Sequence, residues 1–269
     1  MTARVRSSPT LVAGLALLGV LVLAVVLAPV LSSAGPDRQD LLHILQGPSW
    51  SHPLGTDELG RDILSRLLYA GRTDLGIGVL SVIFPFCFGT LVGTVAGYYG
   101  GLLDTVVMRV VDVLIAFPFY VLVIGLVFVV GTGTKGIFVA FAIADWVVYA
   151  RTVRSATLVV RESDYVAAAR VGGLGDARVI LRHVLPNTIS QAIVYIMSDI
   201  VLVIVAVVTL GYLGLGVQPP TADWGSMISD GQQFLTTHWT LATLPGLAVV
   251  ITGLALSLIG DGRADVLRP

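Results

Sequence analysis

The chain has 269 residues, of which 55% are hydrophobic and 12% charged, where an ordinary soluble domain carries about 25% charged residues. A mean hydropathy of +0.90 points to a bilayer rather than water as the main solvent. The net charge of -1 excludes the basic footprint of a nucleic-acid binder, and a single cysteine, Cys87 in an apolar run, excludes an internal disulfide and reads as packing.

A spanning helix needs roughly 20 mostly apolar residues to cover about 30 Å of hydrocarbon. Six stretches qualify, at residues 10–31, 75–98, 106–130, 137–158, 189–213 and 243–260. Arg4 and Arg6 precede the first, as in a signal peptide. That stretch is longer than the roughly 7–15 apolar residues of a signal peptide, and Ser32-Ser33-Ala34 is a weak cleavage site, so an uncleaved anchor is expected.

After the first span, Thr56-Asp57-Glu58 opens a segment in which Leu59, Ile63 and Leu67 align at helical spacing, with Arg61, Asp62 and Ser65 elsewhere. Thr56 is suited to cap a helix and the acids to its first turn, so an amphipathic helix lying on the membrane or on other spans is expected, as a structural brace. In the second span, Gly89, Gly93 and Gly97 fall four apart on one face, which marks a close helix contact. In the third, Arg109 and Asp112 are spaced to pair on one face, and Pro118 removes a backbone hydrogen bond and kinks the helix.

Gly131-Thr132-Gly133-Thr134-Lys135-Gly136 matches GxGxxG but follows a membrane span and not a strand, so it reads as a turn. Asp145 and Asp199 lie inside the fourth and fifth spans, where a carboxylate is costly. They are candidates for the wall of a pathway or for a paired structural site. The four histidines are scattered, with no metal-ligand spacing, and no GxxxxGK[ST] phosphate loop or nucleophile motif occurs. No cofactor or metal site is therefore expected, and the chain is not read as an ATPase or any other enzyme.

Six spans put both termini on one side. That side carries eleven basic residues, Arg151, Arg154, Arg161, Arg170, Arg178 and Arg182 among them, against five on the other (Arg38, Arg61, Arg66, Arg72 and Lys135). Basic residues favour the cytoplasm, so both termini and the loop at 160–187 are placed there. Ser163 or Asp164 is suited to cap a first alanine-rich helix in this loop, Gly172 and Gly173 to end it, and Asp176 to cap a second. Leu185-Pro186 then stops that helix or opens the fifth span. Ala167, Ala168 and Ala169 leave the first helix backbone open to close approach by another protein.

This loop resembles that of bacterial ABC importer permeases, whose pattern is Glu-Ala-Ala, three residues, Gly, nine residues, then Ile-x-Leu-Pro. Ala168, Ala169, Gly173, Leu185 and Pro186 match in register, while Ala167 stands at the family's Glu and His183 at its Ile. Other segments resemble the second permease type of the dipeptide, oligopeptide and nickel family: His52-Pro53-Leu54-Gly55-Thr56-Asp57, Gly60-Arg61-Asp62, Ser65-Arg66-Leu67, Asp112 with Ala116-Phe117-Pro118, Ala150-Arg151, Leu213-Gly214-Leu215-Gly216-Val217-Gln218-Pro219-Pro220, and Trp224-Gly225. The tail Gly260-Asp261-Gly262 with Asp265 is similar as well. Val207 stands where many relatives carry Glu.

The resemblance implies an all-α bundle of about six spans with the type I ABC importer permease fold. Residues 1–31 would be the cytoplasmic N-terminus and first span, 32–74 an extracytoplasmic segment, and 75–269 the permease core. The loop at 160–187 would be the coupling helix, with Tyr165, Gly172 and the matching residues named above contacting an ATPase subunit. The implied partners are a second homologous permease, two ATPase subunits that bind ATP and magnesium, an extracytoplasmic substrate-binding protein and membrane lipid. The implied task is ATP-driven import of dipeptides or oligopeptides across the cell membrane. The loop at 214–239 would be a gate or docking loop, stiffened by Pro219-Pro220, with Trp224 and Trp239 at the membrane interface. Import of nickel or another small solute, or ATP-independent transport as a carrier or channel, are the alternatives. No inverted repeat supports the carrier.

Overall fold

The computed structural model describes residues 9–32 and 35–267, with side chains as far as residue 262. Arg4, Arg6, Ser33, Ala34 and Arg268 lie outside the described residues, as do the side chains of Arg263 and Asp265. Among the described residues the secondary structure is helical, apart from one isolated bridge between Thr56 and Asp62. The helices are α1 (Pro9–Val26), α2 (Ala28–Leu31), α3 (Ile63–Tyr99), α4 (Gly101–Ile115), α5 (Phe119–Val130), α6 (Thr134–Ala144), α7 (Trp146–Val160), α8 (Asp164–Val171), α9 (Asp176–Val179), α10 (Leu185–Tyr212), α11 (Trp224–Gly231) and α12 (Thr240–Leu267).

Among the described residues five helical segments are long and apolar enough to cross a membrane: Pro9–Val26, Ile63–Tyr99, Thr134–Val160, Asp176–Tyr212 and Thr240–Gly262. The expected third span is instead a broken pair, with α4 and α5 meeting at 92°. Pro118 accounts for the break, because it lacks a donor and drives Phe117 before it out of the helical region. The bend far exceeds an ordinary proline kink, and the described residues hold six spans only if this pair counts as one.

The residues divide into two compact units. The first comprises Met1–Val79, Gly131–Ile137 and Ile200–Pro269. Here the first and last spans pack backbone to backbone. A Cβ on Gly14 would lie 2.8 Å from the Ile259 nitrogen, and one on Gly262 would lie 2.4 Å from the Leu11 nitrogen. The core near the loop end gathers Ala70, Val208, Ala222, Trp224 and Met227.

The outer segment departs from the amphipathic helix that its spacing predicts. Residues 56–62 form a turn, and the helix begins at Ile63 and runs for 37 residues through the second span. Its cap is Asp62, whose Oδ2 accepts from the Ser65 nitrogen at 2.7 Å. Thr56 instead donates its hydroxyl to the His43 carbonyl and accepts from the Gln46 nitrogen at 2.9 Å. Gly60, at φ +70°, turns the chain where a Cβ would strike the Asp40 carbonyl. The residues expected off the apolar line, Arg61, Asp62 and Ser65, are buried, as is Arg66. Arg61 is matched by Asp57 and Glu58 and Asp62 by His52, which compensates their burial.

The second unit comprises Leu80–Val130 and Phe138–Asp199. Its frame is α3 against α7, and the three glycines are the contact. A Cβ on Gly89 would lie 2.3 Å from the Trp146 carbonyl, on Gly93 2.3 Å from the Ala150 carbonyl, and on Gly97 3.0 Å from the Arg154 carbonyl. Phe88 meets Trp146 and Phe86 meets Tyr149 edge to face, flanking the seam. Cys87 is exposed on the same helix, beside exposed Phe84, Phe88 and Leu91, an apolar surface suited to lipid.

Gly93→Ala is expected to destabilise the protein by about 1–3 kcal/mol, the usual cost of overpacking. Gly76→Ala, in the same helix with no atom within 4 Å of its added Cβ, is expected to change stability by no more than about 0.5 kcal/mol. Denaturant unfolding of both variants in one detergent decides it, and equal loss in the two would contradict the close contact.

Candidate functional site

The loop at 160–187 is built as expected in outline and differently in its fastenings. Helix α8 starts after Ser163, whose backbone carbonyl accepts from Val166 and Ala167 at 3.0 and 3.1 Å. The Ser163 hydroxyl does not cap the helix; it donates back to the Val160 carbonyl at 2.6 Å. At the other end Gly173 adopts φ +81°, a conformation that glycine reaches without strain. Its nitrogen donates to Arg170 at 3.0 Å and that of Leu174 to Ala169 at 3.2 Å, the paired closure of a Schellman motif.

Asp176 is not the cap of α9. Gly175 holds that position, with its carbonyl accepting from Arg178 and Val179. Asp176 is used further away: Tyr98 Oη, at the end of α3, donates to its Oδ1 at 2.8 Å. Arg170 lies over the Tyr98 ring at 4.8 Å and donates through Nε to the same phenol oxygen at 3.2 Å. Tyr98, Val166, Val179, Ile180 and Val184 are buried together beneath the loop. The loop therefore has its own small core, anchored on α3.

Pro186 opens the fifth span instead of stopping α9. In a regular α-helix its ring would collide with the carbonyl four residues earlier, that of Arg182. Residues Ile180–Val184 form a π turn, closed by the Leu185 nitrogen donating to the Ile180 carbonyl, and the chain continues as one helical run from Asp176 to Tyr212.

The face turned away from this core is apolar and open. Tyr165 is 45% exposed, Val171 90% and Leu181 62%, with Ala167, Ala168, Gly172 and Gly173 also exposed. Ala169 is half-buried, and Leu185 lies partly and Pro186 fully at the surface.

Two ion pairs tie α4 to α7. Arg154 makes a bidentate contact with Asp104, at 2.9 and 2.5 Å, and Arg151 Nη2 donates to Asp112 Oδ1 at 2.6 Å. The expected partner of Asp112 on its own helix, Arg109, is replaced by Arg151, because two antiparallel helices bring that guanidinium closer than the helix's own pitch does. Asp145 sits at the break between α6 and α7, 3% exposed, and Asp199 in α10 is 1% exposed. Tyr149 Oη donates to Asp199 Oδ2 at 2.6 Å, and the Tyr149 and Tyr195 rings meet edge to face at 5.0 Å. Both carboxylates are thus packed among tyrosines and closed off from any open surface of their unit.

In the loop at 214–239, Asp223 Oδ1 caps α11 by accepting from the Ser226 nitrogen at 2.9 Å. Burial pushes the Asp223 carboxyl above its ordinary value. Trp224, expected at the membrane interface, is 1% exposed: its nitrogen donates to Asp74 Oδ2 at 2.8 Å and its indole to the Leu67 carbonyl at 3.0 Å. An indole with both a buried donor and a large apolar face is better satisfied there than at the interface. Trp239 is 59% exposed, and the Pro219-Pro220 bond is cis. Val207 is buried at 1%. Of the turn expected at 131–136, residues 131–133 form the connection, with Gly131 and Gly133 at positive φ, and α6 already starts at Thr134. Among the described residues no three His, Cys, Asp or Glu side chains gather as a ligand set.

These helices define an all-α, multi-pass membrane protein. Residues 89–269 match the family described as binding-protein-dependent transport system inner membrane component, and residues 1–48 match the N-terminal transmembrane domain of oligopeptide transport permease C. A putative peptide transport system permease protein of Brucella suis is 40% identical over 256 residues, 95% of this chain and 86% of that protein. A dipeptide transport system permease protein of Alkalihalophilus pseudofirmus is 35% identical over 267 residues, covering 99% and 88%. A glutathione transport system permease protein of Pectobacterium atrosepticum is 41% identical over 224 residues, covering 83% and 74%. The chain belongs to the binding-protein-dependent transport permeases, membrane subunits that carry no catalytic chemistry of their own.

Tyr98→Phe keeps the ring and its contact with Arg170 but removes two hydrogen bonds, each worth about 1 kcal/mol. Amide exchange across residues 164–184 is expected to quicken roughly five- to thirtyfold, at the corresponding 1–2 kcal/mol. Unchanged exchange would show that the loop does not hang on Tyr98.

Proposed function

We propose that this chain is one of two non-identical permease subunits of an ATP-driven peptide importer, and that its loop at 160–187 docks an ATPase subunit. The observation that carries this reading is the exposed apolar face of that loop, Tyr165, Ala168, Val171 and Leu181, held rigid from behind by a buried core. Apolar side chains that face water on a braced protrusion are a docking surface in want of a partner. The relatives named for dipeptide and glutathione transport favour peptides over nickel.

In this reading both termini and the loop are cytoplasmic. Two ATPase subunits bind below with their ATP and magnesium, and an extracytoplasmic binding protein delivers substrate above. ATP-driven closure of the ATPases moves the loop, and α9, the π turn and α10 carry the motion into the membrane as one helical run, a two-state change of access. Pro118 and its bend, with Asp112, form pathway wall or gate. Asp145 and Asp199 brace the wall from within, and Ala167 presents no polar group to the ATPase where the family's Glu would. Residues 1–31, 32–74 and 75–269 then serve as anchor, outer segment and permease core.

Val171→Asp and Ala168→Trp alter exposed positions only. Both are expected to reduce copurifying P-loop ATPase at least tenfold from mild-detergent membranes, while the second permease is recovered as before. A chain that purifies alone and carries dipeptides into liposomes without ATP would overturn the reading.

A further inference from the structure

The outer segment and the loop at 214–239 enclose a pocket of about 180 Å³ whose wall includes Arg61, Arg66, Gln218, Thr221, Ser229 and Asp230. We propose that it binds a small zwitterion, an amino acid or a short peptide, with the carboxylate on Arg66 and the ammonium on Asp230. This rests on the importer reading only for the biological source of the ligand.

Arg66 is the reason. Its guanidinium is 4% exposed, yet its recorded contacts are long: Nε to Asp57 Oδ2 and Nη1 to the Pro36 carbonyl, both at 3.5 Å. Charge-assisted hydrogen bonds ordinarily run at about 2.7–2.9 Å. Asp57 is the natural partner but is already taken. Its Oδ1 accepts from the Leu59 and Arg61 nitrogens at 2.9 Å, and its Oδ2 from Arg61 Nε at 2.6 Å. Arg61 is spent in turn, since its Nη2 donates to Glu58 at 2.7 Å. Burial pushes the Glu58 carboxyl up, and the neighbouring Asp57 charge adds to that, so Glu58 is a poor second anion for Arg66. Arg66 also occupies the first turn of α3, where the helix dipole disfavours a cation. A buried guanidinium with five donors and two long contacts is costly unless something anionic completes it.

The same pocket excludes a simple anion. Asp230 also lines it, is exposed, and makes no ion pair among the described residues. A ligand with a carboxylate at one end and an ammonium at the other satisfies both walls. Between them Thr221 and Ser229 offer hydroxyls, and the Gln218 amide, whose Nε2 donates to the Gly216 carbonyl at 3.0 Å, keeps its oxygen free. The volume is about six waters' worth, room for a molecule of several heavy atoms and too little for a long peptide.

The test is equilibrium dialysis of labelled glycylglycine against the complex purified from its membranes, without binding protein. N-acetylglycylglycine and glycylglycinamide, each lacking one charge, are the comparison ligands. Asp230→Asn, an exposed change, is expected to weaken glycylglycine binding at least tenfold and to leave binding of the acetylated form unaltered. Arg66→Lys is expected to do the same with respect to the amide. Absence of glycylglycine binding, or equal effects of each variant on free and blocked ligands, overturns the proposal. So does loss of binding-protein-stimulated ATPase activity in the variants without any dipeptide binding, which would give the pocket to protein docking. ATP-driven uptake is scored separately, so that failure of import with intact zwitterion binding counts against the importer reading alone.

Discussion

The contact between α3 and α7 sets the geometry of the second unit. In lipid there is no hydrophobic force drawing helices together, so they associate by fit. Gly89, Gly93 and Gly97 leave three successive positions on one face of α3 without side chains, and the Trp146, Ala150 and Arg154 carbonyls and the Thr157 side chain occupy the space. With the axes so close, Arg161 Nη1 reaches the Gly97 carbonyl at 2.8 Å, and Phe86 and Phe88 interleave with Tyr149 and Trp146. The ion pairs from α7 to α4 and the loop core beneath Tyr98 are both built outward from this pair.

What the sequence makes legible is what is local or periodic. The glycine seam, the connection at 131–133, the glycine joint at 172–173 and the site of the break at Pro118 each rest on a residue's own conformational limits or on its spacing. The size of that bend does not. The same holds for the partners of polar groups. Asp112 meets Arg151 39 residues away, Tyr98 meets Asp176 78 away, and Trp224 meets Asp74 150 away. Helical spacing favoured Arg109 for the first and a cap role for Asp176 because it weighs only neighbours in sequence. The outer segment misled for a related reason: apolar periodicity treats charge as exposed, whereas Arg61 and Asp57 neutralise each other and are buried together.

Polar groups here find partners in two ways. Asp199 and Asp104 each receive a short hydrogen bond from another helix, from Tyr149 and Arg154, and such pairs hold helices in register. Arg66 is of the other kind, buried with its nearest acceptor committed elsewhere. It lines a pocket, where a ligand can complete what its two long contacts leave undone.

The π turn at Ile180–Val184 has a bearing on chain length. It holds one residue more than an α-helical turn, so removing a single residue there restores ordinary pitch without rotating what lies on either side, but returns the Pro186 ring to the carbonyl four residues before it. Anywhere else in the run from Asp176 to Tyr212, the same deletion would turn the remainder by about 100° and carry Val179 or Val184 off the core beneath Tyr98. The spacing between the glycine joint and the fifth span is therefore tied to Pro186: a chain one residue shorter at this place keeps its helix regular only if it also lacks the proline.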